Sequence, residues 1–399
     1  MWWITIPVVI YSAGLLVLWM ILAGRSSDHP PVSGRMPSVS VVVAARNEEK
    51  RLPALLASLS RQDYPADLLE VIIVNDNSTD RTPIVVSEYI KSLRDESRPG
   101  MRLVYNPFSG KKSAVRYGIE KAAGEIIITT DADCIAGPGW VRAHASWYSA
   151  DRTAQGPEDA VPGEVGSSAD DRQEPSAGGS HATDMVLASV YQEPVRGFWP
   201  RFGDYEFSAL QAVTEASATA GYPVMSNAAN MSFRREIYIR YSGELHEELP
   251  SGDDMFLLEA VMRGGGAARH DGRSTAAVVT AGAVTAAALV RQRARWASKA
   301  MHLRSPYTLT LAAATAACNA AVTAAAVTAC VTGAYSTVVA AMYAIKAIPD
   351  YLLIAGEMKK RGTPIRVMQF IGSELLYPFY FMAVWMMSLF PSSRRFAGR

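Results

Sequence analysis

Apolar residues crowd the two ends of the chain, while between them apolar and polar stretches alternate. Residues 4–23, ITIPVVIYSAGLLVLWMILA, carry no charge and are roughly 20 residues long, enough to cross a bilayer. They read as an N-terminal anchor over residues 1–24 and not as a signal peptide, since no basic stretch precedes them and no small-x-small cleavage site is evident. Near the other end, residues 308–333, 334–355 and 367–390 predict three further spans within 305–391. The first is mostly alanine and threonine, so it needs neighbours to hold it in a membrane, and its small side chains permit close contact. Glu374, inside the last, should face protein and not lipid.

Within residues 38–304 strand and helix patterns take turns. SVSVVVAARNEE is a β-run entering a polar turn, RLPALLASLSRQDY has helical spacing, and LEVIIVNDNSTDRT is a second β-run. PIVVSEYIKSL can be a second helix, and GEIIITTDADC is a third strand running straight into aspartates. Such alternation predicts an α/β fold with a parallel sheet, which binds ligands at the carboxyl ends of its strands. Asn47, Glu48, Asp76, Asp131 and Asp133 all fall at those ends. Residues 151–184 are rich in Gly, Pro, Ser and Asp without periodicity, so a mobile insertion with solvated acids is expected there.

Charge adds topology. With 39 basic and 38 acidic residues the net charge is +1, which gives no reason to expect nucleic acid as a partner. Arg25 and Arg35 after the anchor place the middle of the chain in the cytoplasm, and Lys359, Lys360 and Arg361 between the last two spans agree. Arg394, Arg395 and Arg399 conflict with that count, so either the basic tail is tolerated outside or one segment is re-entrant. Cys134, Cys318 and Cys330 are too few and too scattered for a disulfide framework or zinc site and read as packing residues. The six histidines are scattered and receive no role.

In an extended segment residues i and i+2 point the same way, so Asp131 and Asp133 converge and repel. A hard divalent cation, Mg²⁺ or Mn²⁺, completed by phosphate oxygens relieves that repulsion in an all-oxygen site. The plainer reading of an isolated D-x-D is local turn bonding, so the surrounding motifs decide.

Those motifs are VVVAARNEE, VNDNSTD, GKKSAVRYG, TTDADC, and SGDDMFLLEAV followed by QRARW, in that order. Together they resemble the family 2 glycosyltransferases of the GT-A (Rossmann-like) fold, in particular membrane-bound members related to ceramide glucosyltransferases and polysaccharide synthases. The resemblance covers roughly residues 39–299. It implies a nucleotide-sugar donor, a UDP-sugar by preference, with Asn47, Glu48, Asp76, Lys111 and Asp131 around it and the cation on Asp131 and Asp133. It also implies that the second residue of the acidic pair Asp253–Asp254 is the general base, and that Gln292, Arg295 and Trp296 lie by the diphosphate and acceptor. Asn230, in SNAANMSFRRE, resembles an acceptor-site position.

The remaining cations of RQRARWASKAMHLR are expected to face lipid headgroups. Four spans are few for a polymer channel, so inverting transfer of one sugar to a lipid-linked or membrane-associated acceptor, at a bacterial inner membrane, is the expected activity. The alternatives are a processive synthase, a non-catalytic sugar-nucleotide-binding subunit, and a transporter or receptor, the last disfavoured because the spans hold few ionisable residues beyond Lys346, Asp350 and Glu374.

Overall fold

The computed structural model describes residues 2–25, 35–93, 98–149, 182–193, 196–246, 249, 252–298 and 302–389. Most of the segment expected as an insertion, and the arginine-rich tail, lie outside the described residues. Its last two positions do not: Thr183 and Asp184 already belong to a strand.

Helix α1 (Ile6–Ala23) follows a single 3-10 turn. The first half of the middle region is β1 (Val39–Ala45), α2 (Leu52–Leu59), β2 (Leu69–Asn75), α3 (Thr82–Ser92), β3 (Gly100–Tyr105), α4 (Lys111–Lys121) and β4 (Ile126–Asp131). The second half comprises β5 (Ile135–Ala136), α5 (Trp140–Ser149), β6 (Thr183–Ala188), β7 (Val190–Gln192), α6 (Phe198–Thr219) and β8 (Met231–Arg234). It continues with α7 (Arg235–Tyr241), α8 (Asp253–Arg263), β9 (Ala267–Asp271), β10 (Val278–Thr280) and α9 (Ala286–Ala297). Helices α10 (Pro306–Thr332), α11 (Ser336–Lys360) and α12 (Val367–Ser388) complete the chain.

Seven strands form one sheet in the order β3-β2-β1-β4-β8-β6-β9, and β5-β10-β7 form a small second sheet. The large sheet is parallel except for β8, which runs against both β4 and β6, so the parallel sheet expected from the sequence is interrupted once. Strand β3 was not foreseen either. It is an edge strand with little burial, and GMRLVY lacks the apolar run that betrays its neighbours.

Strand β1 is buried on both faces because its period of two sends successive side chains to opposite layers. Val39, Val41, Val43 and Ala45 pack with Leu52, Leu55, Leu56 and Leu59 of α2; Val42, with Ile72 and Val74 of β2, packs with Ala114, Val115 and Ile119 of α4. The α4 contact is close: a Cβ at Gly118 would sit 2.5 Å from Val42 Cγ1 and 2.8 Å from Val74 Cγ2.

Among the described residues four helices are long and apolar enough to cross a membrane: Trp3–Ala23, Pro306–Thr332, Ser336–Lys360 and Val367–Ser388. The alanine-rich α10 has the neighbours it needs: Cys318, Ala321, Val322 and Ala325 pack with Val8, Tyr11 and Leu15 of α1 and Met342 of α11. Lys346 is fully buried among these helices, bonded to Asp350 (2.6 Å) and Glu374 (2.7 Å), and Tyr11 donates to Asp350 (2.8 Å). Glu374 therefore faces protein, as expected. Cys134 and Cys318 are buried and free, whereas Cys330 is exposed and corrects its reading as a packing residue.

Helix α6 joins the two halves of the molecule through three carboxylates. Asp204 pairs with Arg361 (2.7 Å), Glu206 with Arg293 of α9 (2.8 Å), and Glu215 with Arg25 (2.7 Å) and Lys360. The shared partner Glu215 brings the ends of α1 and α11 to one side of the bundle, which is what the count of spans requires.

Candidate active site at the carboxyl edge of the sheet

The register of β1 against its neighbours, Ala45 opposite Asn75 and Ala44 opposite Asp131, aligns three strand ends along one edge. Asn47 leaves β1 with φ of 58°, a left-handed conformation that asparagine tolerates. Its amide oxygen accepts from the Thr79 backbone (2.8 Å), and its own backbone N–H donates to Ser78 Oγ (3.1 Å), so Asn47 stitches the first two strand-end loops together. Asn77 also sits at positive φ, 54°, the conformation a glycine would take without strain.

Asp76, buried at the end of β2, accepts from Asn106 Nδ2 (2.9 Å) and the Gly110 backbone (2.9 Å), which pins the loop leading into α4. The next residue, Lys111, then reaches Asp131 Oδ1 at 2.6 Å. Asp131, followed by the fields of Asp253 and Asp254, raises the proton affinity of Lys111.

Asp133 accepts from Thr280 Oγ1 (3.1 Å) on the small sheet and faces Arg51 at 3.8 Å. Burial, and next the charge of Asp131, pushes its carboxyl above the usual range. Glu48 is raised too, by burial and then by Asp133, with Arg51 opposing. Among the described residues no group of three His, Cys, Asp or Glu side chains could by itself hold a metal ion. Two mutually repelling carboxylates with an all-oxygen donor set still fit a hard cation whose remaining ligands come from a bound phosphate or water.

Asp253 and Asp254 open α8 after Gly252, whose φ of 108° suits glycine alone. Negative charge is favoured at that N-terminus. Asp254 is oriented by the Ala228 (3.2 Å) and Met255 (2.9 Å) backbone N–H groups. Asp253 is raised by burial and then by Asp254, with Lys111 and Lys112 opposing. Burial lowers the proton affinity of Arg295, and Asp131 and Asp254 oppose that loss. Asp131 and Asp254, far apart along the chain, thus act on the same two cations, Lys111 and Arg295. A cavity of about 560 Å³ is lined by Phe256, Glu259 and Arg263 of α8 and by Arg304, and none of the residues assigned to donor, cation or base lines it.

Two expectations are corrected here. Asn230 is not free to meet an acceptor: it is buried, accepts from Trp140 Nε1 (2.9 Å) and lies 3.0 Å from His144 Nε2. Its amide nitrogen donates to the carbonyls of Ser189 (2.7 Å) and Ala276 (2.9 Å). Arg293 does not face lipid: it is buried, paired with Glu206, and lies 4.2 Å from the centre of the Trp296 ring. Trp296 packs partly against the core beside Phe207, and Gln292 accepts from Arg293 Nη1 (2.9 Å). Arg291 and Arg304 are exposed, and Lys299 lies outside the described residues. Thr280 and Arg51, beside Asp133, were missed because neither carries a local signal.

The profile of Glycosyl transferase family 2 matches residues 40–198. Over these residues the chain is similar to the family 2 glycosyltransferases. Within them lie the strand-end residues, Lys111 and the D-x-D; Asp253 to Trp296 lie beyond the matched segment. A beta-monoglucosyldiacylglycerol synthase from Nostoc sp. is 33% identical over 120 residues, covering 30% of this chain and 25% of that protein. Human dolichyl-phosphate beta-glucosyltransferase is 40% identical over 101 residues, 24% of this chain and 31% of that protein. The chain thus spans about a quarter to a third of the length of these curated relatives. The mannosyltransferase PcManGT from Pyrobaculum calidifontis, solved in complex with GDP-Man and Mn²⁺, superposes with a TM-score of 0.59 at 20% identity, covering 97% of this chain and 99% of that one. The α/β region has the GT-A fold, with the four apolar helices attached.

Proposed function

We propose that the protein is a membrane-bound, metal-dependent, inverting glycosyltransferase that moves a sugar from a nucleoside diphosphate sugar to a lipid or lipid-linked acceptor. The observation that carries this reading is the 2.6 Å pair of Lys111 with the first aspartate of the D-x-D at the sheet's carboxyl edge, within the field of Asp254. Two lipid-related relatives support the acceptor class, as does the short step from α9 to α10.

In this reading Asp131 and Asp133 hold Mg²⁺ or Mn²⁺. When bound, the cation acts as a Lewis acid on the diphosphate oxygens and eases their departure. Lys111 and Arg295 bind those oxygens, with Gln292 close to them and Trp296 beside the acceptor. Asn47, Glu48 and Asp76 shape the nucleoside end. Asp254, held by two backbone N–H groups, takes the proton of the acceptor hydroxyl as that oxygen attacks the anomeric carbon from the face opposite the leaving group. Asp253 beside it keeps the negative field high. The cations at the shared end of α1 and α11, Arg25, Lys359, Lys360 and Arg361, support a cytoplasmic catalytic domain, as at a bacterial inner membrane.

The test is a panel of labelled nucleotide sugars, UDP- and GDP-linked, incubated with the detergent-purified protein, Mn²⁺ and total membrane lipid. Release of nucleoside diphosphate together with one labelled glycolipid is expected. A long polymer would reject single transfer, and donor binding without release of nucleoside diphosphate would reject catalysis.

A further inference from the structure

Arg293 is buried with two of its guanidinium nitrogens engaged and its face against an indole. Nε donates to Glu206 Oε2 (2.8 Å) and Nη1 to Gln292 Oε1 (2.9 Å), and the guanidinium carbon lies 4.2 Å from the Trp296 ring centre. An arginine only donates, so the Gln292 atom facing it must be the carbonyl oxygen, and the Gln292 amide nitrogen is thereby turned away from it. Glu206 is the counter-charge of this arrangement. Its second oxygen accepts from the Tyr380 hydroxyl (3.1 Å), which belongs to one of the four helices able to cross a membrane. A continuous line of bonds therefore runs Tyr380, Glu206, Arg293, Gln292, with Trp296 stacked on its third member.

We propose that Glu206 is a positioning residue of the transferase site: it locks Arg293, and through Arg293 it fixes the orientation of the Gln292 amide and the Trp296 indole. The inference rests on the transferase reading, and it ties that site to α12. Glu206 and Tyr380 lie on α6 and α12, outside the motifs that mark the site in the sequence. A buried guanidinium whose only carboxylate partner is removed becomes an uncompensated charge and must move. Movement of α9 by a fraction of an ångström displaces Gln292, Arg295 and Trp296 together, the groups placed by the diphosphate and acceptor, while Lys111, Asp131 and Asp133 keep their places.

The experiment compares Glu206→Gln, Tyr380→Phe and Arg293→Lys with the parent protein, each normalised to the number of nucleotide-binding sites titrated with nucleoside diphosphate and Mn²⁺. Glu206→Gln should lower kcat by about 10²-fold, the loss known for small misplacement of reacting groups. Its KM for the donor should rise much less than kcat falls, because only Arg295 among the groups assigned to the donor rides on α9. Tyr380→Phe, which removes one of the bonds to Glu206, should show a smaller loss of the same kind. Arg293→Lys should fail to restore kcat, because an ammonium lacks the planar fork. Unchanged kcat in Glu206→Gln, or a raised donor KM at constant kcat, overturns the proposal. If Glu206→Gln does not fold, Tyr380→Phe carries the same two criteria.

Hydrogen exchange over residues 286–297 separates this inference from the transferase reading. Exchange there should quicken in Glu206→Gln while β1 and β2 hold, even if no donor is ever transferred. Unchanged exchange across α9 would refute the relay whether or not the protein is a transferase.

Discussion

Acidification should destabilise this protein through one imidazole in particular. His144 of α5 is fully buried, 3.0 Å from Asn230 Oδ1 and 2.9 Å from Ser232 Oγ. Because the Asn230 amide nitrogen is committed to two carbonyls, its oxygen must accept, so Nε2 of His144 carries the proton and Nδ1 accepts from Ser232. A second proton would enter a site closed to solvent. Burial pushes the ring from 6.5 down to about 4, with Asp271 and the Asn230 bond opposing and Arg273 assisting.

A depressed folded value means the unfolded chain binds the proton more readily. The stabilising contribution is therefore complete above pH 6.5 and is lost as the pH falls through about 4. At 1.36 kcal/mol per pH unit, lowering the pH to about 5 should remove about 2 kcal/mol through His144. His270, also buried and pushed down to about 4, adds a second step of the same sign. The assay is urea unfolding of the detergent-solubilised protein, followed by tryptophan fluorescence at about pH 7.5 and about pH 5. His144→Gln should be less stable at neutral pH yet lose about half as much on acidification. An acid loss in His144→Gln as large as in the parent would refute the argument.

Other outcomes follow from the same geometry. Asp254→Asn should still bind nucleoside diphosphate with Mn²⁺ while transfer falls by about 10² to 10⁴, measured as labelled glycolipid formed. Asp133→Ala should abolish the Mn²⁺-dependent part of nucleotide binding in titration calorimetry, leaving the part owed to Lys111 and Arg295. Gly118→Ala should cost about 1–3 kcal/mol in urea unfolding, because the new methyl meets Val42 and Val74 in a closed layer. Asn230→Ala, which strands Trp140 Nε1 and two carbonyls, should cost at least about 3 kcal/mol and leave donor KM unchanged in the protein that remains folded.

Some of this could be read directly from the chain. The apolar helices announce themselves by runs with few charges, and β1, β2 and β4 by continuous β-branched stretches that only strands buried on both faces can carry. The edge position of Asp76, Asp131 and Asp133 followed from strand alternation alone. Strand β3 was silent because an edge strand needs little apolar character, and the reversal of β8 was silent because pairing direction depends on distant chain. Arg293 illustrates a deeper limit. A cation beside a membrane helix looks like a headgroup contact until its acid is known, and Glu206 lies far off in DYEFSAL with nothing local to mark it. Asn230 failed for the converse reason: its amide is surrounded by four partners drawn from three separate segments.

The way α6 is fastened bears on how the molecule can be handled. Asp204, Glu206 and Glu215 take their counter-ions from α1, α9, α11 and the chain after α11, so no cut in the polypeptide separates a water-soluble enzyme from its hydrophobic partners without stripping carboxylates of their cations. Truncation before α10 would forfeit Arg361 and Lys360, and trimming the N-terminus past residue 25 would forfeit Arg25. Crystallisation or screening campaigns should keep the whole length in detergent or nanodiscs from the outset.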